Sequence, residues 1–192
     1  VTSTLKGPAD IVQTAKAKPG SLSFASGGNG TPAHLAGELF KQQTNTVTTH
    51  VPYHQFGLAI GDLIADRTHF MFLTASAALP QINGGKLKAM AVTGAKRLPA
   101  LKDVPTMSEQ GFGDFVLRSF DGMMVKTGTP KEVIERLNSE LNKALNMPDV
   151  RERLANLALE PEPMGSAQFG SVIASETDKW QKIGRAAQIR AD

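Results

Sequence analysis

Short apolar runs alternate with segments of helical apolar spacing along the first 92 residues of the chain. Continuous or β-branched apolar runs predict strands, and apolar residues three or four apart predict helices. The predicted strands are a short one ending at Phe24 and those over 46–51, 69–73 and 87–92; the predicted helices cover 8–16, 32–43, 58–65 and 76–82. This alternation is typical of a parallel, doubly wound α/β sheet.

The pattern changes after residue 93, where helices dominate. Residues 94–114 are predicted to be mostly loop, and 115–125 to be a long strand interrupted at Asp121-Gly122. Thr129, Pro130 and Glu132 have the spacing of a capping box with proline at the first helical position. Three helices are predicted here, over 129–145, over 148–157 and from Ser166 to about 183. We therefore place a boundary near residues 117–122.

A glycine-rich segment, residues 27–31, joins the first predicted strand to the helix that begins at Pro32. In this glycine turn, Gly27, Gly28 and Gly30 let the backbone turn sharply, and Thr31 suits the N-cap position. We expect the turn to leave backbone N–H groups uncovered beside the positive end of a helix. Such a place suits a carboxylate or a phosphate. From the residues alone, a purely structural turn is an equal alternative.

Composition and charge exclude several classes of function. The 192 residues include no cysteine, which excludes disulfides, thiolate metal sites and cysteine nucleophiles. The net charge is +3, but lysine and arginine are scattered, so no nucleic-acid surface is expected. His50 and His54 flank Pro52 and cannot share a helix face, and we predict neither a metal nor a cofactor. His54 is singled out as a loop hydrogen-bond donor to a ligand, and an ordinary surface histidine is an equal alternative.

Catalytic motifs are incomplete. The glycine turn is not followed by the Gly-Lys-Ser/Thr of a phosphate-binding loop, and Ala33 stands at the third glycine position of the dinucleotide fingerprint. No acidic residue ends the 46–51 strand to bind a ribose. Ser26 lacks the Gly-x-Ser-x-Gly context of a hydrolase, because Phe24 occupies the first glycine position. No catalytic residue is predicted, and we expect the chain not to be an enzyme.

Blocks of sequence spread over nearly the whole chain carry a family resemblance. They include the Ser-Gly-Gly-Asn-Gly-Thr-Pro of the glycine turn and its flanks, His-Val-Pro-Tyr at 50–53, and Gly-Thr-Pro-Lys-Glu at 128–132; the others lie at 15–20, 71–80, 85–93, 103–106 and 133–138. Together they resemble the Bug family, the substrate-binding proteins of tripartite tricarboxylate transport systems. The resemblance implies a type II periplasmic binding protein of two hinged α/β lobes.

The resemblance also implies a ligand, partners and a site. Such proteins hold a small carboxylate between their lobes and deliver it to membrane transporter subunits. The ligand-binding residues expected here are Ser26, Gly27, Asn29, Gly30, Thr31, His54, Gln55 and Thr74. Relatives usually have Lys or a small residue followed by glycine where this chain has His54-Gln55-Phe56, and Asn or Asp at Thr74. These departures change the size and polarity of the pocket, so specificity does not transfer.

The resemblance begins inside the family pattern, at Val1 rather than at a methionine. Residues 1–117 would then be the second α/β lobe, and 118–192 the hinge strand and the helices that complete the first lobe. We expect a leader and the rest of the first lobe to be encoded upstream. Without that lobe, the apolar stripes of the last helices would be exposed, so we expect them either to fold over the second lobe or to pair with a second copy of the chain as a homodimer.

Two other classes of function stay open from the sequence. One is the effector-binding domain of a transcription regulator, which shares the two-lobe architecture. The other is a nucleotide-binding enzyme that uses the glycine turn as a phosphate cradle. The incomplete phosphate motifs count against the second.

Overall fold

A computed structural model describes residues 3–113 and 115–189. Its helices are α1 (Pro8–Ala17), α2 (Pro32–Thr44), α3 (Phe56–Ile64), α4 (Ala75–Asn83), α5 (Lys131–Leu145), α6 (Pro148–Asn156) and α7 (Ser166–Ala186); its strands are β1 (Ser23–Ser26), β2 (Thr49–Pro52) and β3 (Phe70–Met71); short 3-10 turns lie at Pro99–Leu101 and Ser108–Gln110. The predicted α/β class is confirmed. Within the described residues, no helix combines the length and apolarity needed to cross a membrane.

The sheet is small and parallel, with strand order β2-β1-β3. In its register, Phe24 of β1 lies opposite His50 of β2 and Phe70 of β3. From β1 the chain passes through α2 to β2 on one side of β1, and then through α3 to β3 on the other side. Because such crossovers are right-handed, these two helices cover opposite faces of the sheet. The strand order therefore reverses at β1, which is where ligands bind in open α/β sheets.

An aromatic core lies between the sheet and α2. Phe24 and Phe40 are almost completely buried, and Phe40 contacts the ring of Phe70 edge-on at 5.9 Å. Phe115 stacks on Phe72 at 5.4 Å and also meets Phe40. These contacts attach the chain after residue 114 to the sheet, and Leu117 also belongs to this core.

Two predicted strands are wrong. Residues 87–92 form a single parallel bridge, between Val92 and Thr106, and no ladder. Residues 115–125, with Asp114 just outside the described part, contain no strand in the structure. Loops take the place of strand partners: the Val92 N–H donates to the Pro105 carbonyl at 2.9 Å, and the Leu117 N–H donates to the Thr93 carbonyl at 2.9 Å. The apolar pattern was right, but a strand also needs a neighbouring strand.

The capping box predicted at the start of α5 is also absent. The helix begins at Lys131, and Pro130 rather than Thr129 is the N-cap. The Thr129 hydroxyl donates to the Lys126 carbonyl at 2.8 Å and so closes a turn instead of capping the helix. This is the local competition expected of a threonine beside a tight turn.

Helix α7 connects the sheet to the rest of the chain. Near its end, Ile183 is buried in the core, and a Cβ added at Gly184 would lie 3.6 Å from Leu35 of α2. In its middle, Lys179 donates through Nζ to the Val116 carbonyl at 2.7 Å. Near its start, Phe169 meets Phe120 edge-on at 5.7 Å. Helix α7 thus contacts both α2 and the 118–125 segment.

Part of the helical portion is exposed although it is apolar. Met124 is 64% exposed, and Val133 and Leu137 on α5 are 42% and 40% exposed. The described part of α5 contains no buried residue. The stripe predicted on this helix is therefore present, and its outer part lies uncovered.

Candidate functional site

The loops that contain the predicted ligand-binding residues lie at one edge of the sheet. They follow the carboxyl ends of β1, β2 and β3, and they comprise the glycine turn, residues 53–55 and residues 72–74. Since the three strands are parallel, these loops emerge side by side. All eight predicted residues therefore belong to one edge, with β1 at its centre.

The glycine turn is held by a dense set of hydrogen bonds. The Gly28 N–H donates to Ser26 Oγ at 3.1 Å, and the Gly30 N–H donates to His34 Nδ1 at 3.2 Å. The Thr31 N–H points back to the Gly28 carbonyl at 3.4 Å. The expectation that the turn leaves its N–H groups uncovered is thus wrong for these three. The chain itself supplies the acceptors, from the residue before the turn and from the first turn of α2.

Two glycines of the turn have a backbone that favours glycine. Gly28 has φ +120° and Gly30 has φ +73°. Residues other than glycine rarely adopt these backbone conformations, so a substitution at either position would strain the backbone. The prediction that glycine shapes this turn is correct at these two positions.

Helix α2 begins at the turn, and its N-cap residue makes no capping hydrogen bond through its side chain. Thr31 is the N-cap and Pro32 is the first helical residue, as predicted. The Thr31 hydroxyl donates to the Gly28 carbonyl at 2.7 Å and makes no capping hydrogen bond. The N–H groups of Ala33 and His34 have no intrahelical acceptor, because they belong to the first turn. Helix α2 therefore presents donors and a partial positive charge at this edge.

The helices after β2 and β3 begin in the same way. Gln55 is the N-cap of α3 and Thr74 is the N-cap of α4, and neither side chain caps its helix. His54, Gln55 and Thr74 are all exposed. The Thr74 hydroxyl accepts a hydrogen bond from Ser76 Oγ at 3.3 Å. Three uncapped helix N-termini thus lie along one edge of the sheet, each beside exposed polar side chains.

Ser26 differs from the other predicted residues because it is fully buried. Its hydroxyl lies 2.6 Å from His50 Nε2 and 3.1 Å from the Gly28 carbonyl, to which it can donate. Its described partners are therefore all within the protein, behind the turn. Asn29 is exposed at the tip of the turn and also has a polar contact of its own.

Phe56, the first residue of α3, lies against the glycine turn. A Cβ built on Gly27 would come within 3.2 Å of Phe56 Cδ2. The ring is 39% exposed, so it forms part of the rim of the site. Phe56 is the bulky residue of the His54-Gln55-Phe56 loop noted in the sequence, and this contact places it beside the glycine turn.

Two histidines behind the turn were not identified as a pair from the sequence. The rings of His34 and His50 stack with centroids 3.7 Å apart and planes 7° apart. Burial, together with the charges of His34 and Lys41, lowers the pKa of His50 to about 4. Burial also lowers the pKa of His34, although the Glu38 carboxylate acts in the opposite direction. Both imidazoles are therefore neutral at pH 7.

The described residues contain no group of three His, Cys, Asp or Glu side chains suited to a metal ion. A large cavity of about 1170 Å³ lies away from the glycine turn. It is an open groove between β3 and the helical portion, and Thr74 and Phe120 line it but the glycine turn does not. Exposed side chains such as Met124 also line this groove, so it includes the uncovered apolar face described above.

A parallel sheet whose strand order reverses beside three helix N-termini is typical of the α/β lobes that bind small solutes. Comparison of the sequence with known families points to the same class of protein. Residues 2–189 match the family described as "Tripartite tricarboxylate transporter family receptor", and the chain belongs to that family. This is a family of periplasmic solute-binding proteins, which confirms the resemblance to Bug proteins.

Curated relatives are similar over most of this chain but extend beyond it. A UPF0065 protein from the tcbD-tcbE intergenic region of Pseudomonas sp. (strain P51) is 37% identical over 174 residues, which are 90% of this chain and 52% of that protein. Protein BugT of Bordetella pertussis is 31% identical over 91% of this chain and 54% of its own length. The chain thus spans about half the length of these relatives.

Solved structures share the fold closely. R. palustris Rpa4515 with adipate superposes with a TM-score of 0.89 at 28% identity, over 98% of this chain and 63% of that one. MatC from Rhodopseudomonas palustris with bound malate gives a TM-score of 0.81 at 26% identity, over 93% of this chain and 62% of its own. A periplasmic binding protein, BugD, gives 0.84 at 26% identity, over all of this chain and 64% of its own. Proteins of this fold thus include two whose structures contain a dicarboxylate.

Proposed function

We propose that this chain is part of a periplasmic solute-binding protein that captures a small dicarboxylate for tripartite tricarboxylate-type uptake. The observation that carries the proposal is the alignment of three uncapped helix N-termini, those of α2, α3 and α4, along one edge of the sheet. Carboxylates bind at such termini because the N–H groups and the helix dipoles favour negative charge. The adipate and malate in two structures of similar fold support the ligand class.

The chemistry of binding divides between backbone and side chains. Each helix terminus contributes about 0.3–1 kcal/mol toward an exposed anion, so three of them give only weak binding without further donors. The exposed side chains of Asn29, His54, Gln55 and Thr74 supply those donors. Ser26, Gly27, Gly30 and Thr31 shape the surface on which the carboxylate rests. Binding of this kind involves no bond making, and no enzymatic activity is proposed.

The two-lobe arrangement is part of the same proposal. Residues 1–117 form the second lobe, and 118–192 supply a hinge segment and helices that complete the first. The structures of similar fold extend beyond the part that this chain matches, and the exposed apolar side chains of 118–125 and α5 are a face that a further lobe would cover. In the longer protein, the ligand lies between the lobes and the membrane subunits of the transporter receive it.

Calorimetric titration with succinate, malate, glutarate and adipate tests the proposal, with acetate and phosphate as comparisons. We expect saturable binding of at least one dicarboxylate and weaker binding of both comparison anions. The Thr74→Val variant removes an exposed hydroxyl at the site and should weaken binding. The matched control is Thr49→Val, because Thr49 is equally exposed but lies at the amino end of β2.

The face proposed to meet the first lobe needs a separate test. The amino-terminal part of a longer relative, added in trans, should form a one-to-one complex with this chain and increase its affinity for the dicarboxylate. Light scattering should then show the mass of that complex. A stable homodimer without the added part would favour the alternative that the sequence suggests, for which the comparisons give no support.

The comparisons do not support the other two classes of function. Neither a transcription regulator nor a nucleotide-binding enzyme is among the similar proteins described above. If the titrations show tighter binding of phosphate than of every dicarboxylate, the proposed ligand class is wrong.

A further inference from the structure

The stacked histidines connect three elements directly behind the glycine turn. His34 lies in the first turn of α2, His50 lies in β2, and Phe24 of β1 stacks on the His50 ring at 4.9 Å. His34 is only 8% exposed. The three rings therefore form a continuous layer beneath the turn, and a shift of either imidazole would be felt by both neighbouring elements.

Each imidazole also supports the turn through a hydrogen bond. His34 Nδ1 accepts from the Gly30 N–H at 3.2 Å. His50 Nε2 lies 2.6 Å from Ser26 Oγ, and that hydroxyl accepts from the Gly28 N–H at 3.1 Å. The Gly30 N–H is thus hydrogen-bonded directly to His34. The Gly28 N–H is hydrogen-bonded to Ser26, whose hydroxyl in turn contacts His50. An imidazole nitrogen that accepts carries no proton, so this network assigns the neutral form with the proton on Nε2 to His34.

Among the described residues, the charged side chains that act on the pair are Glu38 and Lys41, both on α2. Glu38 Oε1 lies 3.8 Å from His34 Nε2, but Lys41 already binds both Glu38 oxygens at 2.8 Å. On the sheet side, β1 presents Phe24 and Ser26 to the rings, and neither is charged. A cationic His50 would therefore have an imidazole and a lysine as its neighbours and no carboxylate at hydrogen-bond distance among the described residues.

We propose that His34 and His50 are positioning residues for carboxylate binding: as a neutral stacked pair, they hold the glycine turn so that the amino end of α2 stays open to the ligand. A proton added at His34 Nδ1 would face the Gly30 N–H and abolish that hydrogen bond. Ligand affinity therefore falls when the pair is protonated, even though neither imidazole contacts the ligand. This inference rests on the proposed function for its ligand but not for the state of the turn.

Hydrogen exchange of individual amides in the full chain, followed by NMR, tests the state of the turn without any ligand. In His34→Leu at pH 7.5, the protection factor of the Gly30 amide should fall about threefold to tenfold, the change expected for the loss of one hydrogen bond. The amide of Ala25 in β1 serves as the internal reference. In His34→Asn, the side-chain oxygen can replace Nδ1 as acceptor but does not titrate. This variant should keep the protection and lose the dependence on pH between 7.5 and 4.5 that we expect of the unsubstituted chain.

The matched control is His69→Asn. His69 Nδ1 also accepts from a backbone N–H, that of Ser23 at 3.0 Å, but at the opposite end of β1. This substitution should leave the Gly30 amide and its pH dependence unchanged. The inference is overturned if His34→Leu protects Gly30 as well as the unsubstituted chain does. If that variant does not fold, the inference is overturned when His34→Asn retains the full pH dependence of the unsubstituted chain.

Titration of the same variants with adipate and malate separates this inference from the proposed function. Where binding is measurable, His34→Leu should raise the dissociation constant about threefold to tenfold at pH 7.5, and His34→Asn should restore it. Absence of binding by every variant and by the unsubstituted chain would count against the proposed function, while the amide measurements would still decide the role of the histidines.

Discussion

Gly37 of α2 lies directly over the ring of Phe24 in β1. A Cβ built at Gly37 would come within 2.1 Å of Phe24 Cε2, a distance that real side chains do not reach. Phe24 cannot move aside, because it is fully buried and its ring stacks on both His50 and Phe70. The close approach of helix to sheet behind the site therefore depends on the absence of a side chain at one position.

We expect Gly37→Ala to lower the free energy of unfolding by about 1–3 kcal/mol, the usual cost of overpacking a core. Gly61→Ala is the control, because Gly61 also lies within a helix but has open space around its Cβ position. That change should stabilise the chain by roughly 0.5–1 kcal/mol through helix propensity. Urea denaturation of both variants measures the difference, and equal stabilities would contradict the contact.

Stability should fall as the pH is lowered from 6.5 toward 4, because of the two buried histidines. The pKa of His50 is lowered to about 4 and that of His34 is also lowered, so the folded state favours both neutral forms. The unfolded chain takes up these protons first, near the ordinary value of 6.5. The stabilising contribution is therefore complete above pH 6.5 and is lost as the pH falls toward 4.

Urea denaturation at pH 7.5, 6.0, 5.0 and 4.5 should show this loss. The window avoids Glu109, because hydrogen bonds from Arg97 and the Thr106 N–H hold the pKa of that carboxyl at about 2 and its contribution is lost only below about 4.5. The double variant His34→Asn, His50→Gln should have a flatter profile over the same range. A double variant as sensitive to pH as the unsubstituted chain would assign the effect to other groups.

The contact between Phe56 and Gly27 should appear in ligand binding. Gly27→Ala would place a methyl group 3.2 Å from the Phe56 ring, so either the ring or the turn must shift. We expect this change to weaken dicarboxylate binding by roughly threefold to tenfold, about 0.6–1.4 kcal/mol. Phe56→Ala in the same chain should restore affinity, since it removes the clash. Gly57→Ala, with open space around its Cβ position, is the calorimetric control.

The two threonines at the site should behave differently. The Thr31 hydroxyl donates to the Gly28 carbonyl at 2.7 Å, so Thr31→Val should lower stability by about 0.5–1.5 kcal/mol and weaken binding through the turn. Thr74 is exposed, and its hydroxyl accepts one long hydrogen bond from Ser76 at 3.3 Å. Thr74→Val should therefore leave thermal stability nearly unchanged while it weakens binding. If Thr74→Val changes neither property, Thr74 has no part in the site.

Local signals in the sequence were sufficient for the elements around the site. Thr31 and Pro32 mark the start of α2 because the N-cap and first helical positions have strong residue preferences. The strands β2 and β3 overlap the predicted runs and are shorter than them, whereas β1 continues two residues beyond its predicted end at Phe24. Their parallel order then brings the three loops to one edge, so the place of the site follows from pattern and topology.

The 87–92 and 115–125 segments show where pattern is insufficient. Their apolar residues resemble those of strands, but Val92 has a single bridge partner and Leu117 bonds to a loop. Whether an extended segment becomes a strand depends on what lies beside it, and that is a property of the whole fold. Strand partners cannot be read from the segment itself.

The hydrogen bonds of the glycine turn were beyond the sequence for a similar reason. His34 and His50 are 16 positions apart and belong to different elements, so no periodicity indicates that their rings stack. The acceptors that cover the Gly28 and Gly30 N–H groups depend on that contact. The glycine-rich turn was therefore predictable from the sequence, whereas the hydrogen bonds that cover its N–H groups were not.

Helix α7 is one continuous helix with a contact near each end. Its 21 residues make it about 32 Å long at 1.5 Å per residue. One end lies on Leu35, next to His34 at the amino end of α2, and the other end holds Phe120 through Phe169. The two contacts, at Gly184 and Phe169, are 15 residues apart, which is about 22 Å along the helix at 1.5 Å per residue. A change in the angle of α7 would therefore alter its contact with α2 and its contact with the 118–125 segment together.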